Sequence, residues 1–155
     1  MLRISKMTDY ATVLLARLAA APERQWTAAQ LAEQTRLAPP TVSKALKQLH
    51  RCGLVSSTRG LRGGYRLARP AAEVTAAQIL DALEGPMALI ECAQQVHHCS
   101  IESTCGVGRA WQRVNQAIRR SLQEITLLEL AGLGGEPVRF AALERQLRPV
   151  RPERP

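Results

Sequence analysis

The sequence predicts a mainly α fold that contains a single β-hairpin, and three observations support this prediction. Aromatic residues make up only 3% of the 155 residues and hydrophobic residues 46%, so the core must consist of aliphatic side chains, which favour helices. Apolar residues recur at three- and four-residue spacing over most of the chain. One glycine-rich stretch, residues 59–64, separates two short segments with a strand pattern.

Three helices are predicted before the hairpin. The first covers residues 6–20 and has Ser5 or Thr8 as its cap. The second begins at a capping box, in which a threonine hydroxyl at Thr27 is followed by Gln30 at the third helical position. The third begins with Pro39-Pro40-Thr41 and ends before Gly53, because proline suits a first helical turn and glycine a helix end.

The elements after the third helix follow the same signals. Residues 54–58 and 65–67 are predicted to be the two strands of the hairpin. A second capping box at Thr75 opens a short helix that Gly85 ends. A long helix is predicted over residues 109–131, where it would measure about 34 Å at 1.5 Å per residue.

This order of helices and hairpin is that of a winged helix-turn-helix, with a long C-terminal dimerisation helix added to it. The major groove of DNA admits one helix, which the preceding helix supports. The third helix would read DNA with its hydroxyl and basic side chains, and glycines would let the wing approach the duplex closely. The predicted DNA-binding residues are Thr41, Ser43, Lys44, Lys47 and Arg51 on the helix, beside Gln48, and Arg59 and Arg62 on the wing.

The net charge of +8 is unevenly distributed, which favours a double-stranded DNA partner. Residues 1–70, the predicted DNA-binding domain, carry +9. Residues 71–108, a connecting helix and a cysteine-bearing loop, carry −5, and residues 109–155 carry +4. The last of these regions divides into the dimerisation helix 109–131 and an Arg-, Pro- and Gly-rich tail, residues 132–155, which is expected to be partly disordered.

Two further expectations concern assembly and location. A single winged domain buries a small interface, so a homodimer on a palindromic operator is expected, with helix 109–131 as the dimer contact; the alternative is that this helix packs back on its own domain. No apolar run approaches the roughly 18 residues of a membrane span, and no cleavable leader is evident. We therefore expect a cytoplasmic protein with no membrane partner.

Three of the four cysteines, Cys92, Cys99 and Cys105, form a C-x6-C-x5-C pattern in a segment without Lys or Arg. Thiolates bind iron and zinc well, but zinc usually takes a closer cysteine pair, so the spacing favours an iron–sulfur cluster. Three unrelated cysteines, or a thiol–disulfide switch assisted by His97 and His98, are the alternatives. Cys52 is remote from the triplet and is predicted to be a small core residue.

Taken together, these motifs resemble the iron–sulfur winged-helix transcription regulators, the family of the IscR- and NsrR-type repressors. The resemblance covers residues 1–131 and includes LRISK at 2–6, DYA at 9–11, GLV at 53–55, RGLRGGYRL at 59–67, and the cysteine triplet. Within the family, the chain is most similar to regulators of the SUF iron–sulfur assembly system, through TDYATV at 8–13, ALEGP at 82–86 and STCGV at 103–107.

The resemblance implies a homodimer in which the three cysteines of each subunit hold a cluster, here a 2Fe-2S cluster, and in which Arg59 enters the minor groove. IscR-type members complete the site with a histidine three residues after the third cysteine. Here that position is Gly108, which cannot be a ligand. NsrR-type members use an acidic residue on the first helix of the other subunit, which implies Asp9. The alternative role of Asp9 is a helix cap, and the competing ligands are Glu91, His97, His98 and Glu102.

The sequence therefore predicts a DNA-binding repressor, or dual regulator, of SUF-type iron–sulfur assembly genes that senses its own cluster. The first alternative is a cysteine-based redox, nitric-oxide or zinc sensor of the same fold. The second is an enzyme with a cysteine nucleophile, which is disfavoured because no cysteine has a base and an orienting group at a recognised spacing. We expect no enzymatic activity.

Overall fold

The computed structural model describes residues 4–60, 62–86 and 107–134, and it confirms the mainly α winged helix-turn-helix. Within these ranges, three α-helices precede a two-stranded hairpin, and a 3₁₀ turn and three more α-helices follow it. The elements, in chain order, are α1 (Lys6–Ala19), α2 (Ala28–Thr35), α3 (Pro39–Arg51), β1 (Val55–Thr58), β2 (Gly64–Leu67), a 3₁₀ turn (Ala71–Glu73), α4 (Ala76–Glu84), α5 (Gly108–Glu124) and α6 (Leu127–Leu130).

The first three helices begin where the sequence predicts. The Ser5 hydroxyl caps α1 by accepting a hydrogen bond from the Thr8 amide at 3.2 Å. Thr27 and Gln30 form the predicted capping box of α2. No side chain caps α3, and its first two residues are prolines, which have no N–H groups that would need a partner.

The wing is an antiparallel hairpin in which Val55 pairs with Leu67 and Thr58 with Gly64. A third segment joins the hairpin from the loop between α1 and α2. There the Trp26 amide donates to the Tyr65 carbonyl at 3.0 Å, and the Tyr65 amide donates back at 2.7 Å. The base of the wing is thereby attached directly to the entry of α2.

One aliphatic core holds these elements together. Its buried side chains come from α1, α2, α3, the wing, α4 and α6, which together we call the head, and they include Leu14, Leu15, Leu18, Leu31, Val42, Leu46, Leu49, Leu54, Val55, Val74, Ile79 and Leu127. Trp26, which is 2% exposed, is the one large aromatic side chain among the buried residues described. The expectation of an aliphatic core is confirmed.

The long C-terminal helix differs from its prediction, because the helix over 109–131 is interrupted. Helix α5 ends at Glu124, Ile125 is extended, and α6 begins after Thr126. The chain leaves the helix to pair with residues 74–76: the Ala76 amide donates to the Ile125 carbonyl at 2.8 Å, and the Leu127 amide donates to the Val74 carbonyl at 2.7 Å. Leu127 is 0% exposed, so the end of the predicted dimerisation helix belongs to the core of the head.

A capping box, which the sequence contains but which the leucine-rich pattern concealed, starts α6. The Thr126 hydroxyl accepts from the Glu129 amide, and the Glu129 carboxylate accepts from the Thr126 amide and hydroxyl. Helix α5 is left with 17 residues, or about 25 Å, rather than 34 Å. No helix within the described ranges combines the length and apolar character needed to cross a lipid bilayer.

Thr126→Ala is expected to lower the free energy of unfolding by about 1 kcal/mol, because it removes the cap of α6. Thr126→Ser, which keeps the hydroxyl, should unfold close to wild type. The two hydrogen bonds from Thr126 hold the pKa of Glu129 below its ordinary value of 4.5. The stability that they give is therefore present above that value and lost as the pH falls through the lowered pKa. Urea unfolding followed by circular dichroism measures the free energy of unfolding, and the difference between Thr126→Ala and wild type should become smaller at acidic pH. Equal stabilities of these two proteins at neutral pH would contradict the capping role.

Candidate nucleic-acid interface

Helices α2 and α3 form the helix-turn-helix. They are joined by a three-residue turn in which Arg36 adopts a left-handed conformation, with φ of 56°. Helix α3 is strongly amphipathic: Val42, Ala45, Leu46 and Leu49 are all 0% exposed. Since one face is anchored in the core, the opposite face of α3 is presented outward from a rigid support.

The predicted reading residues lie on or beside that outward face. Lys44, Lys47 and Arg51 are exposed, whereas Thr41 and Ser43 are half-buried near the start of the helix. Gln48, which the sequence pattern placed on the exposed face, instead donates from Nε2 to the Leu83 carbonyl on α4 at 3.3 Å. The structure therefore separates three exposed cations, which are free to approach phosphates, from a glutamine attached to the next helix.

The wing presents Arg59 and Arg62, both exposed, on either side of a tight tip. Two glycines are required there for different reasons. Gly60 has φ of +113°, a conformation that side chains disfavour. A Cβ on Gly63 would lie 2.3 Å from the Thr58 carbonyl oxygen. Neither position can carry a side chain without strain, so the tip is a narrow backbone that can approach a nucleic acid closely.

A cation–π stack at the base of the wing was missed by sequence reasoning. The Arg24 guanidinium carbon lies 3.9 Å above the centroid of the Trp26 ring, and that of Arg17 lies 5.1 Å from it. Trp26 is buried and pairs with Tyr65, so it holds the exposed Arg24 at a fixed place beside the wing sheet. The only signal in the sequence is a tryptophan two residues after an arginine, which is too short to be specific.

Arg59→Ala is expected to weaken operator binding about tenfold or more, in line with the 1–3 kcal/mol that one arginine contact to DNA contributes. The fold should be unchanged, because the exposed Arg59 side chain makes no hydrogen bond to any described residue. Arg120→Ala, which removes the same charge from the exposed face of α5, is the matched control and should bind normally. Fluorescence anisotropy at fixed salt measures both; operator affinity unchanged by Arg59→Ala would count against a wing contact.

Cys92, Cys99 and Cys105 lie outside the described residues, as do Glu91, His97, His98 and Glu102. Their role as ligands stays a prediction. Among the residues that the structure describes, no three Cys, His, Asp or Glu side chains converge on one point.

Asp9 is described, and it lies exposed in the first turn of α1. Its carboxylate makes no hydrogen bond to another described residue. Asp9 lines an apolar groove of about 430 Å³ between α1, α4 and α5, where Leu80 and Leu122 also contribute to the wall. This position leaves the carboxylate available to a partner that reaches the groove.

The prediction for Cys52 was wrong, since Cys52 is exposed rather than part of the core. Cys52 is the C-terminal cap of α3, one residue beyond the last helical residue, and its side chain does not lie on the buried face of the helix. Its thiol donates to the Ala82 carbonyl on α4 at 3.0 Å.

Comparisons with known proteins agree with this geometry. Residues 4–132 match the family model Rrf2, described as an iron-dependent transcriptional regulator. Protein aau3 of Rhizobium meliloti is 30% identical over 149 residues, which span 96% of this chain and 97% of that protein. Among solved structures, CymR, the global cysteine regulator of B. subtilis, has a TM-score of 0.66 at 27% identity, with 85% of this chain and 98% of that chain covered. IscR of T. potens has a TM-score of 0.61 at 26% identity, with 84% and 87% covered. The chain has the reading helix, the wing and the sequence of an Rrf2-family transcriptional regulator, and it belongs to that family.

Proposed function

We propose that this regulator is a homodimer that binds a palindromic operator and represses SUF-type iron–sulfur assembly genes in response to a bound iron–sulfur cluster. The observation that supports this most is the cysteine triplet at positions 92, 99 and 105, in a segment that follows a head with an exposed basic reading helix. The iron-dependent description of the matching family supports a metal as the ligand. DNA reading and metal sensing would thus occupy separate parts of one chain.

The donor set fits an iron–sulfur cluster chemically. Three thiolates are the ligands that such clusters prefer, and a carboxylate from Asp9 of the second subunit would complete four. Gly108 begins α5 and has no side chain, so this position cannot supply a fourth ligand. When bound, a 2Fe-2S cluster would supply a redox-active group whose presence reports on iron, oxygen or nitric oxide. The chain's own contribution is to hold that group between the two subunits.

The dimer is supported by an apolar face that the head does not cover. Helix α5 packs on α4, yet Trp111 is 47% exposed and Val114 is 43% exposed on one side of it. The apolar groove that Asp9 lines lies beside the same helix. A second copy seated on this face would bury the apolar side chains and bring Asp9 of one subunit near the other, which the ligand assignment requires.

A cysteine-based sensor without a cluster is the second candidate. It is favoured by the likeness to CymR of Staphylococcus aureus, at 30% identity and a TM-score of 0.61, whose structure has been solved in an oxidized form. The two candidates share fold, DNA partner and dimer, and they differ only in what the cysteine segment holds.

Anaerobic purification of the full chain tests the proposal. A coloured protein that contains iron and acid-labile sulfide in equal amounts, as a 2Fe-2S cluster requires, would support it. A colourless protein that contains zinc, or no metal, would overturn the cluster and leave the cysteine-based sensor. Loss of operator binding on removal of the metal would show that the metal-loaded form is the one that binds the operator.

A further inference from the structure

The last turn of α4 makes an unusual set of contacts. Each of its four residues, 81–84, is hydrogen-bonded to a residue of another helix or of its cap. Asp81 bonds to α5, the carbonyls of Ala82 and Leu83 bond to α3, and Glu84 bonds to the start of α1. Three helices therefore meet at one helical turn, which we call the α4 junction.

The contacts to α3 have a simple physical cause. The last carbonyls of a helix have no partner within it, and an unpaired carbonyl is costly when water is displaced. At the end of α4, the Asp81 carbonyl accepts from the Gly85 amide, while the next two carbonyls accept from α3. Cys52 donates to Ala82 at 3.0 Å, and Gln48 donates to Leu83 at 3.3 Å. The reading helix thus supplies the C-terminal cap of α4 through two side chains on its own last turns.

The remaining contacts attach the α4 junction to α5 and to the start of α1. The Arg119 guanidinium on α5 holds the Asp81 carboxylate with two hydrogen bonds, of 3.0 and 2.5 Å. The Glu84 carboxylate accepts from the Ser5 amide at 3.0 Å and from the Thr8 hydroxyl, so it caps α1 from another helix. With both ends fixed in this way, the junction cannot shift without moving α3 or breaking its bonds to α3.

We propose that Gln48 and Cys52 are positioning residues: they fix the angle of the reading helix against the α4 junction rather than contacting DNA. The chain continues from the junction to Cys92, only eight residues beyond Glu84. If the cysteines hold a metal, which rests on the function proposed above, its binding would act on α3 through this junction. Two weak bonds suit such a coupling, because they can be remade in a second arrangement without unfolding the core.

The test compares operator affinity of the metal-loaded and metal-free full chain for the double variant Gln48→Met and Cys52→Ala. These side chains keep their approximate size and lose their donors. In the double variant, the dissociation constants of the metal-loaded and metal-free forms for the operator should become more alike, so that their ratio is at least threefold closer to one than in wild type. The salt dependence of binding should be unchanged. Restoring a donor with Cys52→Ser, alongside Gln48, should return the ratio to wild type.

Lys47→Ala is the control, because Lys47 is exposed on the same helix beside Gln48. It should weaken both forms equally and lower the salt slope by about two, as expected when each subunit of the dimer loses one phosphate contact. A double variant that behaves like Lys47→Ala, or that keeps the wild-type ratio, would overturn the positioning role.

A second measurement separates this proposal from the function proposed above. If wild type proves to hold no metal, that function fails, and hydrogen exchange of the metal-free chain then decides the positioning role. The double variant should speed exchange of the amides over residues 46–54 by about tenfold and leave α2 unchanged. Wild-type exchange in α3 would show that the two bonds do not hold the helix.

Discussion

Cys92→Ala is expected to yield a colourless chain that contains no stoichiometric iron, yet folds and dimerises like wild type. The variant would keep only two of the three thiolates that would hold the cluster, too few protein ligands to retain it against water and oxygen. The fold should survive, because Cys92 lies outside the part of the chain from which the described aliphatic core is built, namely α1 to α4, the wing and α6. Iron and sulfide assays, visible absorption and sedimentation of the anaerobic protein measure the three properties.

Cys52→Ala is the matched control for that experiment. It removes a cysteine as well, but one that is exposed at the end of α3 and bonded to α4. It should retain the metal in full. A Cys92→Ala protein with wild-type iron, or loss of iron from Cys52→Ala instead, would contradict the assignment of the triplet.

Asp9→Ala extends the same measurement to the fourth ligand. As a ligand, Asp9 sets the visible spectrum and the lifetime of the cluster in air, so both should change while iron can still be loaded. As a helix-terminal charge alone, it would contribute a few tenths of a kcal/mol to the stability of α1 and nothing to the spectrum. An unchanged spectrum and lifetime would leave Asp9 with only that second role.

Local signals in the sequence predicted most of the head. The capping boxes at Thr27 and Thr75 lie where they were predicted, because a threonine and a glutamine three residues apart satisfy each other without distant help. The same physics starts α6 at Thr126, but an unbroken leucine-rich period around it favoured a single helix. What interrupts that helix is backbone pairing with residues 74–76, and periodicity carries no information about a partner fifty residues away.

The same limit applies to the candidate interface. Exposure of Lys44, Lys47 and Arg51 follows from helical spacing alone, and the structure agrees. Gln48 fits the same exposed spacing, and Cys52 was expected in the core, yet both bond to α4, because the unpaired carbonyls there are a feature of another element. A pattern on one helix can assign a face to solvent, but only the fold shows which neighbour covers part of it.

Val114→Asp is expected to convert the proposed dimer of about 34 kDa to the 17.0 kDa monomer at micromolar concentration. In the single chain, Val114 is 43% exposed, so a carboxylate there remains hydrated and the head stays folded. In the proposed dimer the same carboxylate would be buried beside the apolar face of α5 without a partner. Such burial costs several kcal/mol, which is enough to shift a typical dimer equilibrium by a factor of a thousand or more.

Gln116→Asp introduces the same charge two residues further along α5. Because successive helical residues turn by about 100°, position 116 lies nearly opposite position 114, among exposed polar side chains such as Arg113 and Arg120. This control should remain a dimer. Sedimentation velocity distinguishes the two variants, and circular dichroism confirms that both are folded.

Loss of the dimer should then weaken operator binding by about a hundredfold or more, since one head occupies only a half-site. The effect differs in kind from that of Arg59→Ala, which removes one contact from each half-site and leaves the dependence on protein concentration unchanged. For Val114→Asp the binding curve itself should become steeper with concentration, because assembly on DNA must supply the association that the free protein has lost. A monomeric Val114→Asp protein with wild-type operator affinity would show that the two heads bind independently, and would remove the physical basis for a palindromic operator.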